Sequence, residues 1–242
     1  VIDLEVGKLI GFEALIRWDH PEKGEISPLE FIPTAEETGL IVPIGNWVLH
    51  TAAAQVSKWN SELPLDNKLQ MFINISKRQL VDSSFFHELT ECRTTHDTSH
   101  GDLILEVTET TVVDNLEFII PILEKVRKCG YKIAIDDFGT GYSSFSALHK
   151  LPVDLLKIDQ SFFEKIEEDE TLFAIVTSIT NLASILNIQT VAEGIETAFH
   201  SDAVKSIGCS FGQGYFYKKP LSLEDAENYI FSRKATKLPD AA

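Results

Sequence analysis

The stretch KIAIDDFGTGYSS, Lys132–Ser144, sets two carboxylates side by side where an apolar run stops. Ile133, Ala134 and Ile135 are β-branched or small and read as a short strand buried on both faces. Like charges at the end of such a strand repel one another and are costly to desolvate unless a cation lies between them. Taken alone, Asp136 and Asp137 fit a cap and turn equally well, because Asp before Gly is ordinary turn chemistry. The rest of the chain decides between the two.

Outward from this stretch, short apolar runs alternate with longer amphipathic segments. The patterns predict strands at Val1–Leu4, Leu9–Trp18, Leu69–Ile75, Leu103–Val107, Lys132–Asp136, Asp154–Ile158, Ile188–Ala192 and Cys209–Gly212. Helices are predicted at Asn115–Lys128, with Asp114 and Glu117 as a capping box and Gly130 as the C-terminal stop, and at Thr171–Leu186. Eight strands alternating with helices over 242 residues predict an α/β fold, a (β/α)8 barrel of the TIM type. A doubly wound sheet is the alternative. No low-complexity segment or linker divides the chain, so residues 1–235 read as one domain and 236–242 as a tail.

In a barrel, the C-terminal strand ends share one mouth, where chemistry is built. In GFEALIRW, period two puts Glu13, Leu15 and Arg17 on one face. Asn74 ends MFIN, Glu106 lies in LILEVTET, and Lys157 and Asp159 follow in phase with Leu155. Glu193 and Gln213 lie just past the last two strands. One polar strand end is commonplace, but seven together predict a wet or metal-bearing cavity.

The composition narrows the partners. A net charge of −16, from 37 acidic against 21 basic residues, argues against a nucleic-acid polymer, which is held by clustered Lys and Arg. A small anionic ligand remains compatible if a metal ion receives it. Cys92, Cys129 and Cys209 are odd in number, widely spaced and without a CxxC pair, and read as reduced thiols. No signal peptide opens the chain and no run approaches the ~20 apolar residues of a bilayer span. A cytoplasmic domain is therefore expected, and Val at position 1 fits a piece of a longer protein. The histidines, His20 beside Pro21 among them, read as structural or solvated rather than catalytic.

Glu13, Asn74, Glu106, Asp136 and Asp137 form an all-oxygen set, which selects Mg²⁺, Mn²⁺ or Ca²⁺ over zinc or copper. One of the adjacent aspartates can bridge two metals while its neighbour holds the second, an arrangement suited to in-line phosphoryl displacement. Lys157 and Glu193 are then suited to orient and deprotonate the attacking water. No P-loop or GxGxxG is present.

The segment FEALIRWDHPEKGEISPLEFIPTAEETGLIVPIGNWVL, followed in order by FINIS, LEVTET, DDFGTGYSS, LPVDLLKIDQSF, VAEGIET and GQGYFYKKPL, resembles the EAL domain family of cyclic-di-GMP phosphodiesterases. The resemblance implies a barrel whose first strand runs antiparallel to the others. It implies a two-metal site that hydrolyses cyclic di-GMP to linear 5′-pGpG; the oxygen ligands lead us to expect Mg²⁺ or Mn²⁺ in it, with Ca²⁺ inhibitory because its looser coordination positions water poorly. By resemblance, Glu13, Asn74, Glu106 and Asp136 are first-metal ligands, with Asp136 bridging and Asp137 on the second metal. Lys157 holds the water, and Glu193 is either general base or a water-mediated second-metal contact. Leu15, Arg17 and Gln213 resemble substrate-site residues. Glu109 resembles the glutamate that anchors the loop after Asp137. Extended geometry past Val107 would turn Glu109 away from Glu106, toward Phe138–Ser146, where Thr140, Ser143, Ser144, Ser146 and backbone amides offer donors. The resemblance further implies a homodimer and fusion to regulatory or GGDEF-type domains. A cyclic-di-GMP receptor without turnover is the alternative of a different class, and a metal-dependent barrel acting on another phosphate ester is a third. The chain opens VIDL without the family's usual Gln-Pro-Ile-type lead, so a shortened first strand is expected.

Overall fold

The computed structural model describes residues 1–113, 115–141 and 148–232. Its strands, in chain order, are β1 (Ile2–Asp3), β2 (Gly11–Ala14), β3 (Trp18–His20), β4 (Gly24–Ile26), β5 (Gln70–Asn74), β6 (Leu103–Thr108), β7 (Lys132–Phe138), β8 (Leu155–Ile158), β9 (Gln189–Ala192) and β10 (Phe211–Gly212). Eight of them form one sheet in the order β1-β10-β9-β8-β7-β6-β5-β2. Every pairing in it is parallel except β1 with β10. A lone antiparallel bridge between Ile2 and Leu9 joins the two ends, so the sheet nearly closes into the expected barrel. The doubly wound alternative is excluded, and the first strand is both antiparallel and short.

The strand runs are apolar on both faces because each face meets a different core. One face of each packs inward: Phe72, Ile104, Ala134, Leu155, Val191 and Phe211 fill the barrel. The other face, including Ile73, Leu105, Ile133 and Leu156, packs outward against the helical layer, where Val56, Leu89, Leu123 and Val176 are fully buried. Barrel strands alternate inward and outward residues in this way.

Two expected boundaries are corrected. The second strand does not run to Trp18; it stops at Ala14, and Trp18–His20 belongs to a separate hairpin with Gly24–Ile26. Trp18 stays exposed, its ring edge-on to Phe31 with centroids 5.5 Å apart, and His20 Nδ1 accepts from the Glu22 and Lys23 amides to close the turn. The helix after residue 114 spans Leu116–Lys128 with Asn115 as its N-cap and no side-chain cap hydrogen bond. Glu117 is thus one position too early for the proposed capping box, and Asp114 lies outside the described residues. Gly130 does adopt the left-handed conformation that terminates this helix, at φ 94°. The helix Glu170–Ile185 is capped by Asp169, whose carboxylate accepts from the Thr171 and Leu172 amides. The tail expected at 236–242 lies outside the described residues.

Candidate metal centre

Two residues beyond each apolar side chain of the barrel's inner layer stands a polar one. Asn74 follows Phe72, Glu106 follows Ile104, and Asp136 follows Ala134; Lys157, Glu193 and Gln213 follow Leu155, Val191 and Phe211. Glu13 follows Gly11 on β2 at the same interval. The strand period of two therefore stacks a polar layer directly on an apolar plug, at the C-terminal mouth.

Lys157 is the hub of this layer. Its side chain is 1% exposed, and Nζ lies 2.7 Å from Glu106 Oε1, 2.8 Å from Glu193 Oε1, 2.9 Å from Asp136 Oδ1 and 3.7 Å from Glu13 Oε2. Burial opposes charge on its amine, but the surrounding carboxylates outweigh burial and hold the ammonium well above its ordinary range. Glu13 is oriented from both sides: Asn74 Nδ2 donates to Oε1 at 2.8 Å and Gln213 Nε2 to Oε2 at 2.6 Å. Burial works against the Glu13 carboxylate, yet Lys157 and these two amides together hold its carboxyl below the usual value. Glu106 moves the other way. Burial, reinforced by Glu13 and Asp136, exceeds the attraction of Lys157 and drives it well above the ordinary carboxylate range. Burial likewise pushes Glu193 up to about 7 and raises Asp137, to which Asp136 and Asp159 add repulsion.

The adjacent aspartates share one site because β7 is irregular. Ala134 and Ile135 pair with Leu155 and Leu156, but Ile158 pairs with Phe138, which leaves one extra residue on β7. Asp137 takes that place with φ 54°, a left-handed conformation uncommon for a non-glycine residue. Regular alternation would send Asp137 into the outer core. Instead, Phe138 is buried there, and carboxylate oxygens of Asp136, Asp137 and Glu193 lie within 4.8 Å of one another. Gly139 continues the bulge at φ 101°, where an added Cβ would stand 2.4 Å from the Phe162 ring.

Glu109 is 1% exposed and begins the helix Glu109–Val113, so helical rather than extended geometry turns it from Glu106. Its Oε2 accepts from the Gly139 amide at 2.6 Å. Of the hydroxyls expected around it, those of Ser143, Ser144 and Ser146 lie outside the described residues; Thr140 Oγ1 donates to the Asp137 carbonyl instead. Leu15 and Arg17 are not on a strand face with Glu13, since β2 has ended. Leu15 is 46% exposed, and Arg17 Nε lies 3.5 Å from Glu25 Oε1 on the hairpin. Asp159 caps the turn Gln160–Phe162 by accepting from the Ser161 amide, close enough to Asp137 to add to its repulsion but with no ion pair to Lys157. Sequence reasoning put Lys157 at the mouth through its phase with Leu155, but not its ion pairs with four carboxylates.

A divalent cation fits these residues. Among the described residues, four carboxylates (Glu13, Glu106, Asp136 and Glu193) meet the Lys157 ammonium, Asp137 stands beside two of them, and the donors are all oxygen, the chemistry of hard cations. Glu106 Oε2 and Gln213 Oε1 are buried with no hydrogen-bond partner among the described residues, an arrangement that is costly unless a ligand completes it.

This barrel mouth is that of a known family. The chain belongs to the EAL domain family, whose model matches residues 1–220. It is 38% identical over 229 residues to the cyclic di-GMP phosphodiesterase PA2567 of Pseudomonas aeruginosa, a match covering 95% of this chain and 38% of that protein. It is 37% identical over 215 residues to the cyclic di-GMP phosphodiesterase PdeR of Escherichia coli, covering 89% and 32%. The chain thus spans about a third of the length of these curated relatives. Among solved structures, the PaMucR phosphodiesterase in complex with c-di-GMP superposes with a TM-score of 0.87 at 38% identity, covering 93% of this chain and 90% of that one. The FimX EAL domain of Pseudomonas aeruginosa, at 21% identity and a TM-score of 0.82, shares the fold. No helix among the described residues is long and apolar enough to cross a membrane.

Proposed function

We propose that the chain is a metal-dependent phosphodiesterase that opens cyclic di-GMP to linear 5′-pGpG. The observation that carries this reading is the convergence of Asp136, Asp137 and Glu193 beside the Lys157 ammonium. Glu13, Asn74, Glu106 and Asp136 would hold one cation, with Asp136 and Asp137 holding a second. Bound Mg²⁺ or Mn²⁺ supplies neutralisation of the phosphate and activation of water, which this acidic protein otherwise lacks.

The chain's own residues do the rest. Lys157 keeps Glu106, Asp136 and Glu193 at fixed separations with its three N–H groups, and one of them would be freed to orient the attacking water once a cation holds Glu106 and Asp136. The water oxygen bonds to phosphorus, the bond from phosphorus to the 3′-oxygen breaks, and that oxygen leaves with a proton. A 5′-phosphate and a 3′-hydroxyl result. Glu193 serves either as acceptor of the water's proton or as a water-mediated contact to the second cation. Glu109 holds the loop after Asp137 through the Gly139 amide. Leu15, Arg17 and Gln213 contact substrate; Gln213 already orients Glu13, and Arg17 would exchange its exposed Glu25 partner for phosphate.

Residues 1–235 would form one domain, acting as a homodimer in the cytoplasm, where Cys92, Cys129 and Cys209 stay reduced. Fusion to regulatory or GGDEF-type domains is supported by MucR, a bifunctional diguanylate cyclase and phosphodiesterase, 39% identical over 218 residues and matched along 32% of its length. The test is incubation with cyclic di-GMP and Mg²⁺ or Mn²⁺. Appearance of pGpG is expected, whereas tight binding without product would mean a receptor.

A further inference from the structure

Outside the barrel, two helices of the outer layer bring together residues of a different chemistry. His50 lies on the helix Ile41–Glu62, and Glu88, Cys92 and His96 lie on the helix Phe85–His96. Their spacing, Glu-x3-Cys-x3-His, puts the last three on one helical face. His50 Nδ1 stands 3.1 Å from His96 Nε2, with the rings 73° apart and their centroids 5.2 Å apart. Cys92 Sγ completes a group of three ligand atoms that all lie within 4.8 Å of one another. Cys92 is fully buried, while both imidazoles are half-buried.

We propose that His50 Nδ1, Cys92 Sγ and His96 Nε2 form a second metal site, for a zinc-class transition-metal ion, that clamps these two helices together. Four considerations support it. Nitrogen and thiolate donors select zinc-class ions, in contrast to the oxygen-only barrel mouth. Tetrahedral zinc with bonds of ~2.0–2.1 Å separates its nitrogen ligands by roughly 3.3 Å, close to the observed separation of the two imidazole nitrogens. The other nitrogen of His50, Nε2, lies 3.7 Å from Glu88 Oε2. Ligating histidines usually turn their second nitrogen toward a carboxylate, and Glu88 stands on that side of His50 at ion-pair distance. Finally, the half-buried imidazoles leave the fourth position to water. On binding, the Cys92 thiol gives its proton to the solvent and the thiolate bonds to the ion.

The test is a titration of the Mg²⁺-saturated chain with Co²⁺, following the sulfur-to-cobalt charge-transfer band, which the carboxylates of the barrel mouth cannot produce. One equivalent of Co²⁺ developing that band, and Zn²⁺ abolishing it, is expected. Cys92→Ser and His96→Ala should each remove it, and Glu88→Gln should weaken binding about 10–100-fold. Should Cys92→Ser fail to fold, as checked by circular dichroism, the half-buried His96→Ala decides alone. Absence of the band, or its persistence in His96→Ala, overturns the site and leaves an imidazole hydrogen bond beside a core thiol.

Discussion

Glu109 and Gly139 are 30 residues apart in the chain, yet the carboxylate of one accepts the amide hydrogen of the other at 2.6 Å. That bond ties the start of a helix to the loop that follows Asp137, and Asp137 itself sits on the β-bulge immediately before. Glu109→Ala is expected to lower turnover about 10–100-fold while cation binding by Glu13, Asn74, Glu106 and Asp136 survives. Glu109→Gln keeps an acceptor oxygen and should be milder. Calorimetric metal titrations beside rates check this; loss of first-cation affinity in Glu109→Ala would make Glu109 a ligand instead.

Lys157 is expected to matter for folding as well as for rate. Removing a buried ammonium leaves Glu106, Asp136 and Glu193 uncompensated, so Lys157→Met should destabilise the metal-free chain by about 3–5 kcal/mol. Added Mg²⁺ should restore part of that, and cation affinity should be retained while turnover falls by orders of magnitude. Asp136→Asn should show the opposite split, with turnover and cation affinity both lost. Denaturant melts with and without Mg²⁺ separate the two variants.

The pH dependence has a definite sign. Glu193 is pushed up to about 7 and Glu106 well above its ordinary value, so the native chain binds more protons than the unfolded one between roughly pH 4.3 and 7. Metal-free stability from these groups is therefore present at the acidic side and lost as pH rises through 7. Cations must displace the same protons, so Mg²⁺ affinity should climb over that interval and flatten the loss. Melting curves from pH 5 to 8, with EDTA and with Mg²⁺, read both effects; a metal-free chain that gained stability toward pH 8 would contradict them.

Turnover should require Mg²⁺ or Mn²⁺ and vanish in excess EDTA. Ca²⁺ should bind, since the donors are oxygen, but its larger and looser coordination positions water poorly, so it should inhibit. Full hydrolysis in EDTA would remove the metal mechanism.

Glu193→Gln distinguishes the two roles left to that residue. A proton acceptor predicts loss of the acidic limb of the rate profile, the rise in rate as pH passes about 7, with second-cation affinity retained. A metal contact predicts weaker second-cation binding and a rate that excess Mn²⁺ partly restores.

The local sequence carried most of this. Short apolar runs set between amphipathic segments identified the barrel strands, and the step from Phe72, Ile104, Ala134, Leu155, Val191 and Phe211 to their polar successors two positions on was legible because strand side chains repeat at that interval. Hard oxygen donors likewise pointed to a site that a divalent cation fits. Three features waited for the tertiary structure, each because it depends on pairing between distant segments. Where β2 ends depends on its partner β5, so the apolar look of Ile16 and Trp18 misled. Whether Asp137 faces inward depends on the register between β7 and β8, where one unmatched residue defeats the alternation. That Lys157 meets four carboxylates, from β2, β6, β7 and the residue after β9, and that His50 meets Cys92 and His96 from another helix, follows only from folding. Periodicity is a property of one segment, whereas ion pairing and ligand geometry belong to several segments at once.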